Sequence, residues 1–372
     1  MKLSISRETL LKNLRHMSAV VEKRTSIAIL SNVRIKAANN VLELTATDND
    51  ITIQGTAEAF VEEAGTTTAS AHKLFEIMSK IPEGVMVNME LKDGGNRLAI
   101  SAGKAKFSLA CLPADAFPAD QLTAMSGAVT FTMPAKALAN ALTKAQFAAS
   151  TDDTRAYLTG VYLHVPEGED NILRFVATDG HRLAKVDMAL PEGAAEIPGV
   201  ILPRKCVAEL KKLTEDGKDI TLSIGETKVQ AAAGELKLTS KVIDGTFPDY
   251  HRVIPKANTA KMAVARRTLL QAVGRVAILS HEKSRSVRFS VHDNNLSITA
   301  NNPDQENASE DVKVAFDGAQ LDVGFNAKYV EDIGAQVAGD DMEFLFKDNT
   351  SPVLVTDPTD PTALFVVMPM RI

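Results

Sequence analysis

The string Thr178-Asp179-Gly180-His181 has the residue types of a compact acid–base site. A hydrolase would use His181 as proton acceptor and Asp179 to orient it, with the Thr178 hydroxyl close by. Residues two apart on a strand point the same way, but a turn does not preserve that geometry. The sequence has no GxxxxGK(S/T) phosphate loop, no GxSxG nucleophile elbow and no HExxH zinc helix. Neither an activated nucleophile nor a metal therefore stands beside the pair. A turn with Gly180 in a left-handed conformation accounts for the same residues, so no catalytic residue is expected. Cys111 and Cys206 lie far apart without CxxC or Cys/His spacing, which indicates neither a disulfide framework nor a zinc site. They are expected to be buried thiols, and no metal or other cofactor is expected.

The other chemistry on offer is positive charge. Steps of four along three predicted helices give Glu8, Lys12 and His16, then Lys136, Asn140 and Lys144, then Arg267, Gln271 and Arg275. Each set is expected on one face, opposite the leucines. A second group of helices adds Lys73 and Lys80, then Lys205 and Lys212, at aligned positions. Its third member breaks the pattern, with Lys328 and Ala335 flanking Glu331 and Asp332. A solvated amphipathic face explains any one of these helices. Recurrence on equivalent helices points instead to a wall of Lys, Arg and amides that meets phosphates without aromatic or bidentate base readers. Such a wall holds DNA and leaves its sequence unread.

The elements that must carry these residues follow from length and repetition. A chain of 372 residues exceeds one ordinary core, and three domains are expected, with cuts near 122 and 254. With 45% hydrophobic and 24% charged residues the composition is that of a globular protein. No apolar run is long enough to span a membrane. The N-terminus opens directly into the alternating pattern MKLSIS rather than a signal organisation, so a cytoplasmic location is expected. The net charge of -6 argues superficially against nucleic acid. It is unevenly spread, however, from zero in residues 1–122 to -4 in residues 255–372.

Three stretches, residues 3–16, 131–144 and 262–275, each read as a short strand followed by an amphipathic helix. Alternating strands follow and end in the turns LTATDND, FVATDGH and ITANNPD, which align Leu44, Phe175 and Ile298 at spacings of 131 and 123 residues. A second strand and helix align Lys73, Lys205 and Lys328 at spacings of 132 and 123. Each segment is thus a doublet of one strand-helix-strands unit, and the chain carries six such units. Turn signals at GGN 94, EGED 167 and HDNN 292 sit between alternating strands, as hairpins require. The expected fold class is α+β, mostly antiparallel.

The strings VATDGHRLA at 176–184, SKVIDGTFPDYHRVIP at 240–255, AILSHEK at 277–283, ITANNPDQE at 298–306 and the terminal VVMPMRI closely resemble the bacterial DNA polymerase III beta-subunit family along the full length. The resemblance implies a DNA clamp fold of three domains, 1–122, 123–254 and 255–372. Two chains would then form a head-to-tail homodimeric ring, with sheets outside and helices lining the hole around double-stranded DNA. It implies a processivity factor that tethers the DNA polymerase III catalytic subunit, the clamp loader and other replication and repair proteins carrying a clamp-binding motif, and that is not an enzyme. The implied peptide pocket takes Arg155, Leu158, Thr178, Gly180, His181, Arg182 and Leu183 from the second repeat. Pro248, Arg252 and Val253 come from the connection to the third. Asn326, Tyr329, Val366, Met368, Pro369, Met370 and Arg371 complete it. Methionine suits such a groove because it repacks around different ligands.

The implied ring closure places Phe107 and Leu109 of one copy on Ile278 and Leu279 of the other, with Lys104 and Lys106 facing Asp304, Glu306 and Glu310. The implied DNA contacts are the lining residues Lys12, Lys73, Lys80, Lys136, Asn140, Lys144, Lys205, Lys212, Arg267, Gln271 and Arg275, with Arg24 and Tyr157 on loops. Two departures bear on the loops. Arg155 is followed by Ala156 and Tyr157 where many family members show adjacent aromatics, and Asp152 and Asp153 just upstream would repel phosphate.

Overall fold

The computed structural model describes residues 1–118, 124–169, 171–215, 217 and 219–371. The expected cut near 122 and the terminal Ile372 lie outside the described residues. Helices α1 (Arg7–Val20), α2 (Ala71–Lys80), α3 (Ala135–Gln146), α4 (Arg204–Leu213), α5 (Arg266–Val276) and α6 (Ala327–Gly334) each follow a strand without an intervening residue. Among the described residues the strand-helix unit therefore occurs six times, as the repeat implied. Side chains at the junctions help to start three of these helices: Ser6 accepts from Thr9 N, Ser70 from Lys73 N and Asn326 from Lys328 N.

The described chain divides into two compact units, one of Met1–Ala139 with Pro191–Ile243 and the other of Asn140–Leu190 with Asp244–Ile372. Both units draw on the middle segment, because in each a strand of one repeat pairs with the last strand of the next. In the first unit Ile51–Glu58 pairs antiparallel with Leu236–Lys241, Ser240 opposite Ile51 and Leu236 opposite Gly55. In the second, Arg182–Ala189 pairs with Asp360–Val367, Arg182 opposite Val367 and Val186 opposite Ala363. An edge strand paired in this way no longer exposes its backbone groups.

In the first unit, Leu10, Leu14, Met17 and Val20 of α1 and Leu74 and Met78 of α2 are buried against the sheet. The second unit packs Phe289, Phe325 and Phe344 at centroid distances of 5.2 and 6.4 Å beside the buried face of α5. Strands with one buried face alternate as expected, for example Ser286–His292. The three predicted hairpins form, with Gly94 at φ 64 and Asp293 and Asn294 at φ 46 and 61 in two of the turns.

Candidate functional site

Thr178-Asp179-Gly180-His181 folds as a braced turn. Gly180 sits at φ 91, and Thr178 Oγ1 donates to Arg182 O at 2.7 Å. Asp179 Oδ1 accepts from the backbone N–H groups of His181 and Arg182 at 2.9 and 3.0 Å, while Oδ2 accepts from Arg182 Nε at 3.0 Å. Both carboxylate oxygens therefore serve the turn, and the His181 ring stacks on Tyr329 at 6.4 Å instead. The Arg182 guanidinium lies 4.5 Å from the Tyr329 ring centre and 5.3 Å from that of Phe147, and pairs with Asp332 at 2.5 Å. Nothing in this arrangement activates the Thr178 hydroxyl.

Beside the turn opens an apolar cavity of about 200 Å³. It is lined by Leu158, Thr178, Gly180, Arg182, Leu183, Pro248, Asp249, Tyr250, Val253, Val366 and Met368. Nine of these match the residues that the resemblance implied. Asp249 and Tyr250 were not among them, although they stand inside the quoted FPDYHRVIP string. A pocket wall made by consecutive residues was the signal that could have found them. The implied residues outside the cavity are still close to its rim or to the C-terminal strand. Arg155 Nη1 lies over Gly180, and Arg252 is exposed and paired with Asp249 at 2.8 Å. Asn326 caps α6 near Tyr329. Met368 N donates to His181 O and Met370 N to Gly324 O, both at 2.8 Å, which fixes the path of Pro369 between them. Arg371 is exposed. A larger hollow of about 1160 Å³ in the first unit contains Lys12 but none of the implied pocket residues.

The helix faces depart from the steps of four. Lys12, Lys73, Lys80, Lys136, Asn140, Arg267, Gln271 and Arg275 are exposed, as are Arg24 and Tyr157 on loops. His16 and Lys144, however, are buried, and Lys144 is ion-paired with Asp360. The cause is geometric: each step of four overshoots a full turn by about 40°, which turns the third position toward the core in α1 and α3, although Arg275 in α5 stays exposed. A step of three after the first four stays on the face, and it finds Arg15, 66% exposed, which the sequence reading missed. Lys144 is thus corrected from a lining residue to a buried ion-pair partner. Lys205 is half-buried between Glu22 and Asp48 at 2.6 and 2.5 Å, and Lys212 pairs with Glu209 at 2.7 Å. Arg275 is exposed but held by Glu310 through two hydrogen bonds of 2.9 and 2.5 Å. Asp152 accepts from Thr154 and Arg155, contacts that hold its carboxyl below the usual range. Its charge is partly matched within the loop.

Among the strands with an open edge in the described residues are two that carry the implied closure residues. Ala105–Leu112 pairs fully with Arg97–Ala102, but on its other side only Cys111 and Leu112 meet Gly65–Ser70. Asn307–Lys313 pairs only with Asn295–Asn301. Phe107 and Leu109 are half-buried on the first edge, beside exposed Lys104 and Lys106. Near the second lie Ile278, 76% exposed, half-buried Leu279 and Glu310, and exposed Asp304 and Glu306. Cys111 and Cys206 are free and buried, and burial pushes the Cys206 thiol up to about 12. Among the described residues no group of three His, Cys, Asp or Glu side chains is placed to hold a metal, and no helix is long and apolar enough to cross a membrane.

Repeated strand-helix units joined through shared sheets, with a pocket closed by the C-terminal strand, define a protein of the DNA clamp class. Models of the DNA polymerase III beta subunit match its N-terminal domain at residues 1–122, its central domain at 132–249 and its C-terminal domain at 251–371. The beta sliding clamp of Caulobacter vibrioides is 44% identical over 374 residues, and that of Escherichia coli K12 38%, each covering 100% of both chains. A crystal structure of the Caulobacter crescentus beta sliding clamp with bound polyethylene glycol superposes with a TM-score of 0.95 at 44% identity, covering 100% of this chain and 99% of that one. The clamp of Bartonella birtlesii bound to griselimycin gives 0.96 at 38% identity, covering 100% of both. The chain belongs to the bacterial DNA polymerase III beta-subunit family, and its function is that of a DNA sliding clamp.

Proposed function

We propose that two copies of this chain close head to tail around duplex DNA as a ring of six domains, each chain contributing 1–122, 123–254 and 255–372. The observation that carries this reading is the pair of unmatched strand edges. Within the chain, the strand opposite Leu44 and the strand opposite Phe175 each receive the last strand of the next repeat. Gly55 and Val186 face Leu44 and Phe175 across their hairpins, and Glu310 faces Ile298 in the third copy. Leu236, the first residue after its two-residue turn, pairs with Gly55, and Ala105 follows an equivalent turn. The third junction then sets Ala105 of one copy opposite Glu310 of the other, Phe107 opposite Ala308 and Leu109 opposite Glu306. A ring of two chains pairs both of these edges, once in each of its two junctions. In this register Lys104 comes opposite Asp311, with Lys106 diagonal to it, while Asp304 and Glu306 lie further along the edge, and such charges select the right edges more than they add affinity.

In this reading Lys12, Arg15, Lys136, Asn140, Arg267 and Gln271 face phosphates, which position DNA without reading bases. The apolar cavity takes an anchor side chain from short peptides of the polymerase III catalytic subunit, the clamp loader and other partners in turn. The protein catalyses nothing itself and works in the cytoplasm, where those partners act. One experiment tests enclosure: load the protein on nicked circular DNA with its clamp loader, then linearise. Release from the ends is expected, and retention on linear DNA would contradict topological binding. A second tests the register. Ser108→Cys with Asn307→Cys should form an intersubunit disulfide under mild oxidation, whereas Ser108→Cys with Asp311→Cys should not.

A further inference from the structure

We infer that Arg174, acting with His164, is a positioning residue for the peptide cavity, and that the connection runs through the Tyr250 hydroxyl. The inference rests on reading the cavity as the peptide site. Pro248, Asp249, Tyr250 and Val253 form one wall of that cavity, yet the segment contains no strand and only one short turn, Tyr250–Arg252. A wall with so little regular structure of its own takes its shape from what it is tied to.

The ties are specific. Phe247 stacks on Tyr162 at 4.9 Å, and Tyr162 on His164 at 4.4 Å. Tyr250 is 5% exposed, and its hydroxyl lies 3.2 Å from Arg174 Nη1 and 3.1 Å from His164 Nε2. Arg174 is 2% exposed and uses all five of its N–H donors. Nε and Nη2 reach Asp187 at 2.6 and 2.8 Å, and Nη1 and Nη2 reach Glu169 at 3.0 and 2.8 Å. These four bonds fix the guanidinium plane, and the fifth donor goes to Tyr250. Lys185 pairs with Asp187 at 2.6 Å, so two cations face two carboxylates and the buried charge is balanced. A guanidinium only donates, so the Tyr250 oxygen accepts from Arg174 and its own proton is left for His164 Nε2. That direction requires a neutral imidazole, and burial above all, with the Arg174 and His251 charges adding, depresses the His164 pKa to about 4. The chain Arg174 to Tyr250 to His164 is therefore fully satisfied and has one orientation.

A wall that is prearranged shows in binding kinetics. Tyr250→Phe deletes one hydroxyl and leaves the four carboxylate bonds of Arg174 in place. The probe is the clamp-binding peptide of the polymerase III catalytic subunit, measured against the intact dimer by stopped-flow or surface resonance. The association rate should fall about fivefold, as expected for one ordinary hydrogen bond holding the competent shape. The dissociation rate and the dimer should stay as in the parent. Arg174→Lys, which loses the carboxylate fork as well as the bond to Tyr250, should lower the same rate at least as far, and adding Tyr250→Phe to it should lower the rate no further, because the link to Tyr250 is already cut. His164→Gln, which retains an acceptor, should recover most of the parent rate. Met368→Ala is the control for the site itself. If Met368→Ala weakens the peptide while Tyr250→Phe leaves its association rate unchanged, or changes only dissociation, the positioning role is wrong and the cavity reading stands. If neither variant affects the peptide, the cavity reading falls.

Discussion

The turn at Thr47 to Ile51 and the turn at Thr178 to Arg182 are the same backbone device with different side chains. Thr47 Oγ1 donates to Ile51 O at 3.0 Å as Thr178 does to Arg182 O at 2.7 Å. Asp48 Oδ1 accepts from Asp50 N and Ile51 N at 2.9 and 2.8 Å, matching Asp179 with His181 and Arg182. Asn49 at φ 78 stands where Gly180 stands at φ 91. Beyond each turn the last strand of the next repeat docks identically: Lys241 N donates to Asp50 O at 2.9 Å, and Met368 N to His181 O at 2.8 Å. The difference lies in what faces the junction. In the first unit Lys205 and Lys241 pair with Asp48 and Asp50 at 2.5 and 2.8 Å. In the second, Met368 and Leu183 leave an apolar cavity. Secondary structure and register are thus set by the threonine, the aspartate and the strand pattern, while a few side-chain identities decide whether a junction is closed by ion pairs or left to bind.

In the proposed ring the third copy of this junction forms between two chains, and changing it should have the largest effect. Ile278→Ala with Leu279→Ala removes aliphatic surface that a partner edge would cover, at roughly 2 to 5 kcal/mol for each side chain once buried. Because a closed dimer contains two such junctions the loss counts twice. Sedimentation at low micromolar concentration should show a folded monomer with its peptide cavity intact. A full dimer there would mean that the third junction does not resemble the other two.

The second junction is the next test. Met368→Ala removes one wall of the cavity and should weaken every peptide partner together, by more than tenfold or about 2 kcal/mol, since such ligands draw their affinity from a few buried anchors. The dimer should be unaffected, because changes without shared partners add independently. Calorimetry showing an unaltered polymerase peptide together with a dissociated dimer would reassign the C-terminal strand to the interface.

These contrasts mark what could be read before the structure. Strand, helix and turn order was legible because apolar periodicity and turn residues act locally, and their recurrence at matched spacings exposed the six units. The Asp179 and His181 string was read correctly as a turn for the same local reason. The helix face went astray at Lys144 because steps of four overshoot the helical turn, and its partner Asp360, 216 residues away, could not be found from spacing. Tyr250 was passed over because its significance comes from Arg174 and His164, 76 and 86 residues distant. No spacing rule links a linker tyrosine to a strand arginine. Only the packed sheet brings them together.

The smallest effect is expected at the first junction, where Lys241→Met gives the ion-paired site the residue type that occupies the equivalent position beside the cavity. The Lys241 and Asp50 side chains are 52% and 77% exposed. A pair so open to water contributes less than about 0.5 kcal/mol, and the loss should shrink further at high salt. Backbone pairing is untouched, since Lys241 N rather than its side chain makes the docking bond to Asp50. Thermal stability should therefore stay close to that of the parent. More informative is the stoichiometry of peptide binding, which should remain one per chain. A single methionine does not make a cavity while Lys205, Asp48 and Glu22 still fill the junction with charge, and burying an apolar anchor against them would strip those groups of water without return. A second peptide bound per chain in the Lys241→Met variant would show that one side chain alone separates the two junctions, and that the surrounding ion pairs do not matter.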